Sequence, residues 1–170
     1  MSPSADPVIV AIMTKLAQVM IDQIYPDNGF FFQVNKASID AISLNDPSTS
    51  DQREDAVVMI EEEFDLVEGS NANTIAATAT LAVHGHIRTA AYPDISPTLV
   101  AARFRQDITR VLRSVSKVTL SDDAGNALCR SFAMTDRREI KASDIAEGYA
   151  EVIVRVAIEY RDSSPPVPGI

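Results

Sequence analysis

One segment, residues 149–160, constrains the fold more than any other part of the sequence. It reads YAEVIVRVAIEY. From position 152 onward, every even-numbered residue is apolar or aromatic: Val152, Val154, Val156, Ile158 and Tyr160. The odd-numbered positions mix charged residues with Ile153 and Ala157. This alternation, in residues that are mostly β-branched, predicts a long strand with one buried face. The mixed character of the other face predicts a surface that is partly covered, for example by another subunit.

The composition predicts one acidic domain with a hydrophobic core. A chain of 170 residues, 46% of them apolar, fits a single domain that buries roughly 70% of its unfolded-chain surface. The net charge of −9 disfavours nonspecific binding to nucleic acid and to anionic membranes, which are themselves negative. The single cysteine, Cys129, excludes an internal disulfide and favours a reducing compartment. The chain lacks a basic, secretory-type start, and its apolar run at residues 8–13 is too short to span a bilayer.

Two amphipathic segments predict helices. After a loose leader at residues 1–5, Asp6 is the expected N-cap of a first helix with Pro7 in its first turn, ending at the turn of residues 25–29. Ser96 is the expected N-cap of a second helix with Pro97 at its first position, ending near Ser116. Apolar residues recur at intervals of three and four in both segments, which predicts that each helix packs one side on a sheet.

The remaining apolar runs predict strands. They are expected at residues 30–42 (with a change of register), 57–67, 74–88, 118–120 and 128–134. In the run 57–67, simple alternation places Val58, Ile60, Phe64 and Leu66 on one face, and Glu61, Glu63 and Asp65 on the other. Polar residues 45–55 and charged residues 135–148 are expected to be loops.

These elements predict an α+β fold in the order α-β-β-β-α-β-β-β. Helices separated by consecutive strands favour a mainly antiparallel sheet of about five to six strands, with the two principal helices packed on one face. The expected organisation is one domain over residues 1–162, followed by a flexible, proline-rich tail over residues 163–170.

Two histidines raise the question of a metal site. His84 and His86 alternate on one predicted strand face, and Glu61, Glu63 or Asp65 on the neighbouring strand is a candidate third ligand. The spacing fixes no third ligand, so a polar strand face is the favoured interpretation and no metal or other cofactor is predicted.

No catalytic machinery is evident in the sequence. The run of residues 61–63 is three glutamates, but acid–base catalysis needs a pocket and shifted pKa values that no motif indicates. The arginines of the second helix allow nucleic-acid binding or salt bridges to the acidic strand, and the acidic chain favours salt bridges. Cys129 is expected to be a buried small hydrophobe rather than a nucleophile. With no nucleotide-binding loop or hydrolase motif, a non-enzymatic protein is predicted.

Four segments in this order carry a family resemblance: DPVIVAIMTKL (6–16), AVVMIEEEF (56–64), LVAARFRQDITRVL (99–112) and GYAEVIVRVAIEYR (148–161). The layout resembles that of the tail terminator proteins of tailed bacteriophages, also called tail completion or neck proteins. Their last strand ends in a V-x-V-x-Y run similar to the one here. The resemblance covers most of residues 6–162 and is one of pattern and size, with no invariant motif.

The resemblance implies a structural virion protein, assembled in the host cytoplasm, that forms a homohexameric ring. Such a ring caps the head-proximal end of the tail tube, ends tube polymerisation and provides the docking surface for the head connector. DNA passes through the channel without specific binding, as an acidic wall would allow. The resemblance carries over no catalytic or contact residue.

The subunit contacts predicted from charge join an acidic strand to a basic helix. The acids are Glu61, Glu63 and Asp65, and the bases are Arg103, Arg110 and Arg113. Two other functions remain open. One is another head–tail joining protein, such as a head-closure protein. The other is a small-molecule- or metal-binding α+β domain that uses His84, His86 and the facing acids.

Overall fold

A five-stranded sheet with two helices on one face accounts for the fold. The structure is a computed structural model, and it describes residues 6–40, 56–71, 74–115, 120–141, 148–163 and 169. The helices are α1 (Val8–Gln23) and α2 (Pro97–Ser114), with 3₁₀ turns at Pro26–Asn28 and Thr89–Ala91. The strands are β1 (Lys36–Ser38), β2 (Ala56–Ser70), β3 (Ile75–Arg88), β4 (Ser131–Lys141) and β5 (Tyr149–Asp162).

The strands lie in the order β1-β2-β3-β5-β4. β1 runs parallel to β2, and all other neighbours are antiparallel. The predicted α+β class and element order are confirmed. Of the short strand predicted at residues 118–120, only Leu120 lies within the described residues, and an isolated bridge joins the next residue, Ser121, to Ala127. The predicted tail and the predicted loop of residues 45–55 lie almost entirely outside the described residues.

The predicted strand at residues 149–160 is β5, and it lies between β3 and β4. Its even-numbered side chains are buried and belong to the single hydrophobic core that the sheet forms with both helices. Alternation in the sequence therefore identified an interior strand whose apolar face lies under the helices.

Helix α2 begins as predicted, whereas α1 does not. Ser96 is the N-cap of α2, with Pro97 in the first turn, and its hydroxyl accepts a hydrogen bond from the Leu99 N–H. In α1 the N-cap position is Pro7, one residue later than predicted, and no side chain caps the helix, so the predicted role of Asp6 is wrong. Proline still fits at this position because the first N–H groups of a helix lack intrahelical partners. No helix among the described residues is long and apolar enough to cross a membrane.

The predicted strand at residues 30–42 is wrong over most of its described length, because only Lys36–Ser38 forms a strand. The preceding segment is held by Asp107 of α2, which is fully buried. Its carboxylate accepts hydrogen bonds from the backbone N–H groups of Phe31 (2.9 Å) and Phe32 (3.0 Å). These N–H groups thus bond to a helix side chain rather than to a sheet ladder. Residues 41–42 lie outside the described part.

A bulge in β2 overturns the predicted assignment of its faces. The pairing register with β3 shifts between Glu62 and Phe64. One extra residue reverses the side chains that follow it, here as far as a second register shift between Val67 and Gly69. Phe64 and Leu66 therefore leave the core face, and Asp65 moves to it, where it accepts a hydrogen bond of 2.5 Å from the Tyr160 hydroxyl.

Residues 135–141 also differ from the prediction. They were expected to be a loop but continue β4, with a register shift between Met134 and Arg138. The shift interrupts the alternation by which a strand is recognised in sequence. The rest of the predicted loop, residues 142–147, lies outside the described part.

Close packing of α2 on the sheet depends on Gly85. A Cβ atom built at Gly85 would lie 2.5 Å from Ile108 Cδ1, 2.7 Å from Phe104 Cε1 and 2.9 Å from Val152 Cγ2. Gly85→Ala is therefore expected to destabilise the protein by about 1–3 kcal/mol through overpacking. The measurement is the free energy of unfolding from urea denaturation. Gly69→Ala is the matched control, with no atom within 4 Å of the new Cβ and an expected change within about 0.5 kcal/mol. Equal losses in the two variants would contradict this packing.

The buried carboxylate of Asp107 yields a second prediction. Asp107→Ala leaves two backbone N–H groups without an acceptor and is expected to cost about 2–4 kcal/mol of unfolding free energy. Asp107→Asn keeps an amide oxygen that can accept both bonds, so its loss should be clearly smaller. Losses of the same size in both variants would show that the two bonds do not hold residues 31–32.

The stability difference between wild type and Asp107→Asn, measured at several pH values, tests the charge on Asp107. Burial raises the pKa of Asp107 above its ordinary value, although the N–H bonds from Phe31 and Phe32 and the charge of Arg110 oppose the rise. In the unfolded chain the Asp107 carboxyl loses its proton near its ordinary pKa of 3.8, whereas in the folded chain it loses the proton at a higher pH. The contribution of Asp107 to the free energy of unfolding therefore falls as the pH rises from 3.8 through the folded pKa. The stability of wild type relative to Asp107→Asn should therefore decrease from pH 4 to pH 7. An increase over this interval would contradict the sign.

Candidate functional site on the open sheet face

The sheet face away from the two helices carries two groups of charged side chains, and the side chains within each group hydrogen-bond to one another. We call it the open face. It is formed by the even-numbered residues of β3, the odd-numbered residues of β5, and the residues of β2 and β4 that pair with them. Ala82 and Ile153 on this face are fully buried although they are not part of the helix-side core. They lie below two groups of long charged side chains.

The first group is centred on His84, which is only 7% exposed. Its Nε2 atom lies 2.7 Å from Glu61 Oε2 on β2, and its Nδ1 atom lies 2.8 Å from Glu151 Oε1 on β5. A neutral imidazole carries one N–H and one lone pair, so only the doubly protonated ring donates to both carboxylates. The neutral ring would direct one lone pair at a carboxylate oxygen.

The second group is centred on Arg155. Its Nε atom donates to Glu63 at 2.8 Å, and its Nη1 atom donates to Glu139 on β4 at 2.7 Å. The hydrogen bond to Glu63 is the main reason that the pKa of Arg155 is raised, and the bond to Glu139 contributes further. Charge-assisted bonds of this length are stronger than neutral ones. Arg155 thus joins β2, β5 and β4 across the open face.

Strand register explains why these residues meet. Ala82 pairs with Glu61 on one side and with Arg155 on the other, and His84 pairs with Ile153. The small Ala82 side chain leaves room above it, so the longer neighbours reach diagonally towards each other. Ligand atoms of Glu61, Glu63 and His84 all lie within 4.8 Å of one another.

The other two residues that the sequence offered as metal ligands, Asp65 and His86, are not part of this three-residue cluster. Asp65 is on the helix side because of the bulge. There it accepts a hydrogen bond from Tyr160, whose pKa is raised first by burial and second by this bond. His86 shares the open face with His84, but its Nε2 atom is 4.0 Å from Glu151 Oε1. The sequence thus identified Glu61, Glu63 and His84, and missed Glu151, Arg155 and Glu139.

The arginines of the predicted subunit interface lie in α2, which packs on the opposite face from Glu61 and Glu63. Arg103 lies 5.0 Å from the Phe31 ring centroid. Arg110 lies 4.4 Å from the Phe30 ring centroid and donates to the Gly29 carbonyl at 2.6 Å. Arg113 is exposed. Within the described subunit, the acids bond instead to His84, Arg155 and Tyr160, and pairing between subunits stays a prediction.

The far end of β2 is an exposed hairpin edge, which we call the arm and define as residues 61–70 together with Ile75. β1 pairs with β2 only at residues 57–59, so in the described chain the arm has β3 on one side alone. Every residue from 61 to 70 is exposed, including Phe64 at 58% and Leu66 at 50%. The sequence predicted these two residues in the core, and the bulge is the reason that they are not.

A cleft of about 270 Å³ lies on the helix side, between α1 and α2. Its lining includes Val19, Asp22, Phe30 and Val111. It does not contain either charged group of the open face. Cys129 is buried, as predicted, and belongs to the core.

The ion pairs of Arg155 are expected to stabilise the sheet modestly. Arg155→Met leaves Glu63 and Glu139 without their shared cation and should lower the free energy of unfolding by about 1 kcal/mol at low salt. The loss should shrink in 1 M NaCl, because salt screens partly exposed charges. Lys15→Met is the control, since Lys15 and Asp123 form an exposed pair at 3.4 Å that is expected to contribute almost nothing. A loss that is insensitive to salt, or no larger than the control's, would contradict the electrostatic explanation.

Comparison with known proteins adds no assignment: no protein-family model and no curated protein matches this chain.

Proposed function

We propose that this chain is a structural subunit of a phage tail terminator ring. In this role a homohexamer caps the head-proximal end of the tail tube, stops tube polymerisation and offers a docking surface to the head-connector proteins. It acts in the virion neck after assembly in the host cytoplasm, and the DNA passes through it without specific binding. The mechanism is geometric and involves no catalysis. The proposal starts from the pattern resemblance over residues 6–162.

The observation that carries the proposal is the arm. A strand edge with unpaired backbone groups and exposed apolar side chains is a hazard for a free monomer, and proteins usually pair or cover such edges. Aromatic residues are enriched at the centres of protein interfaces. Exposed Phe64 and Leu66 beside Val67 and Ile75 therefore support a subunit that is completed by a protein neighbour.

The charge of the arm supports a basic neighbour, such as α2 of the next subunit in a ring. Five of its residues are acidic: Glu61, Glu62, Glu63, Asp65 and Glu68. Burial, followed by the nearby charge of Asp65, raises the pKa of Glu62. A cation from a neighbouring subunit would relieve this repulsion. Arg110 and Arg113 are both exposed, and Arg103 is half-buried. Arg103 and Arg110 lie over phenylalanine rings of their own subunit.

A head-closure protein is the nearest alternative, because it would also need a protein-binding edge and an acidic channel wall. The two functions differ in the partner that they bind. A terminator binds the end of a tail tube, whereas a head-closure protein binds a portal–adaptor complex.

The experiment is to add the purified chain to tail tubes assembled from a purified phage tail-tube protein. Electron microscopy of negatively stained samples shows whether rings cap one end of each tube and whether tube lengths stop increasing. Caps at one end support the terminator function. Binding to portal–adaptor complexes without capping of tubes would favour the head-closure alternative, and a particle that ignores both would refute the proposal.

The arm provides a variant test of the same function. The double variant Phe64→Ser, Leu66→Ser should stay folded, because both side chains are exposed and surface substitutions usually change stability by about 0.5 kcal/mol or less. Its affinity for tubes or neighbouring subunits should fall by about tenfold or more, as expected for interface anchors. Leu99→Ser is the control, since Leu99 is exposed at the start of α2 and outside the arm. Normal capping by the arm variant would contradict a role for the arm.

A further inference from the structure

We propose that Glu61, Glu63 and His84 form a binding site for a divalent transition-metal cation such as Zn²⁺. The inference stands independently of the ring proposal, because it concerns the unassembled subunit. It rests on the arrangement of donors on the open face and on the hydrogen bonding of one buried imidazole.

The donor atoms have the chemistry and the spacing that the cation needs. One imidazole nitrogen and two carboxylate oxygens lie within 4.8 Å of one another. Zinc–ligand bonds of about 2.0–2.2 Å place neighbouring tetrahedral ligands roughly 3.3–3.6 Å apart. The donor atoms therefore need to move together by about 1.5 Å at most. Glu61 and Glu63 can supply this movement by changing rotamer towards solvent, which for Glu63 means exchanging its bond to Arg155 for the cation, whereas His84 is held on a central strand.

The orientation of His84 matches that of a metal-binding histidine. Metal-ligating histidines commonly donate their second N–H group to a carboxylate, which fixes the tautomer and the ring orientation. Here Nδ1 lies 2.8 Å from Glu151 Oε1. In the tautomer that donates to Glu151, the Nε2 lone pair points at Glu61 Oε2, 2.7 Å away. Two facing acceptors repel each other, and a cation between them turns both into ligands.

The electrostatics of the surrounding residues favour a cation despite Arg155. Among the described side chains that these bonds join, the carboxylates of Glu61, Glu63, Glu139 and Glu151 face one guanidinium, that of Arg155. With His84 neutral the group therefore carries an excess of negative charge. When Glu63 turns to a metal ion, Arg155 keeps its bond to Glu139 at 2.7 Å.

The donor set also indicates which cation binds. Imidazole nitrogen suits Zn²⁺, Co²⁺ and Ni²⁺, whereas Mg²⁺ and Ca²⁺ prefer sites made entirely of oxygen ligands. Three protein ligands leave a fourth tetrahedral position, which water would fill. The side chain of Glu61 is half exposed, so the cation has a path from solvent.

The experiment is a titration of the chelator-treated full chain with Zn²⁺ by calorimetry, with Mg²⁺ as the comparison ion. Co²⁺ is added separately, because its visible absorption reports the coordination number. We expect one Zn²⁺ per chain, a melting temperature that rises with Zn²⁺ concentration, a four-coordinate Co²⁺ spectrum and no response to Mg²⁺.

Variants locate the site. Glu61→Gln and Glu63→Gln change exposed side chains, so both should fold, and each should weaken Zn²⁺ binding by at least about tenfold. Glu151→Gln should weaken it by about 10–100-fold as an orienting partner of His84, without changing the number of ligands seen in the Co²⁺ spectrum. Glu68→Gln is the matched control, because it removes an exposed carboxylate of the same arm.

Three results would overturn the proposal. The first is the absence of Zn²⁺ binding by wild type. The second is binding that Glu61→Gln and Glu63→Gln leave unchanged. The third is binding lost in His86→Asn but retained in Glu61→Gln, which would place the cation on the His84-x-His86 pair. The capping of tail tubes is measured separately, so failure of either proposal leaves the other standing.

Discussion

The pairing of β3 with β5 is the interaction on which the rest of the structure depends. Every residue of β3 from Ile75 to Arg88 pairs with a residue of β5 in one uninterrupted antiparallel register. On the helix side, this register aligns the apolar positions of both strands under α2. At Gly85, the missing side chain lets Phe104 and Ile108 approach the backbone. On the open face, the same register places His84 and Arg155 within reach of acids from the flanking strands.

The outer strands depart from this regular pattern. β2 contains two register shifts, at Glu62/Phe64 and Val67/Gly69, and β4 contains one, at Met134/Arg138. Each shift lies where charged residues replace apolar ones, so little burial energy opposes an extra residue in the ladder. The inner strands are regular because both neighbours and the core constrain them. Strand position in the sheet thus explains where the chain tolerates irregularity.

The same difference explains how much could be predicted from sequence. Alternation revealed β3 and β5 with nearly correct bounds, and the Ser96-Pro97 pair revealed the start of α2. The bulge in β2 could not be predicted, because three consecutive glutamates give no period by which to locate an extra residue. The segment before β1 was mistaken for a strand, since its true partner, Asp107, is a helix residue far away in sequence. Three-dimensional contacts of this kind leave no local signal.

The residues of the candidate site were likewise only partly predictable from the sequence. Glu61, Glu63 and His84 were candidates because they share a face under simple alternation before the bulge. Asp65 was lost from the set because it follows the bulge. Glu151 and Arg155 were visible as the charged positions of β5, but their role depends on the register between β3 and β5, which the sequence does not specify.

The bulge connects the two halves of β2 that matter for function. Glu61, before the bulge, and Glu63, at the bulge, bond to His84 and Arg155, so the base of the arm is fixed to the interior strands. After the bulge, Phe64 and Leu66 point to the open side, whereas Asp65 and Val67 lie on the helix side, where Asp65 bonds to Tyr160. An unbulged strand would bring Asp65 towards the charged groups and turn Phe64 towards the core. One inserted residue therefore produces both a compact polar cluster and an exposed apolar edge. Phe64 of that edge directly follows Glu63 of the cluster, so a neighbour that binds the arm also lies beside Glu61 and Glu63.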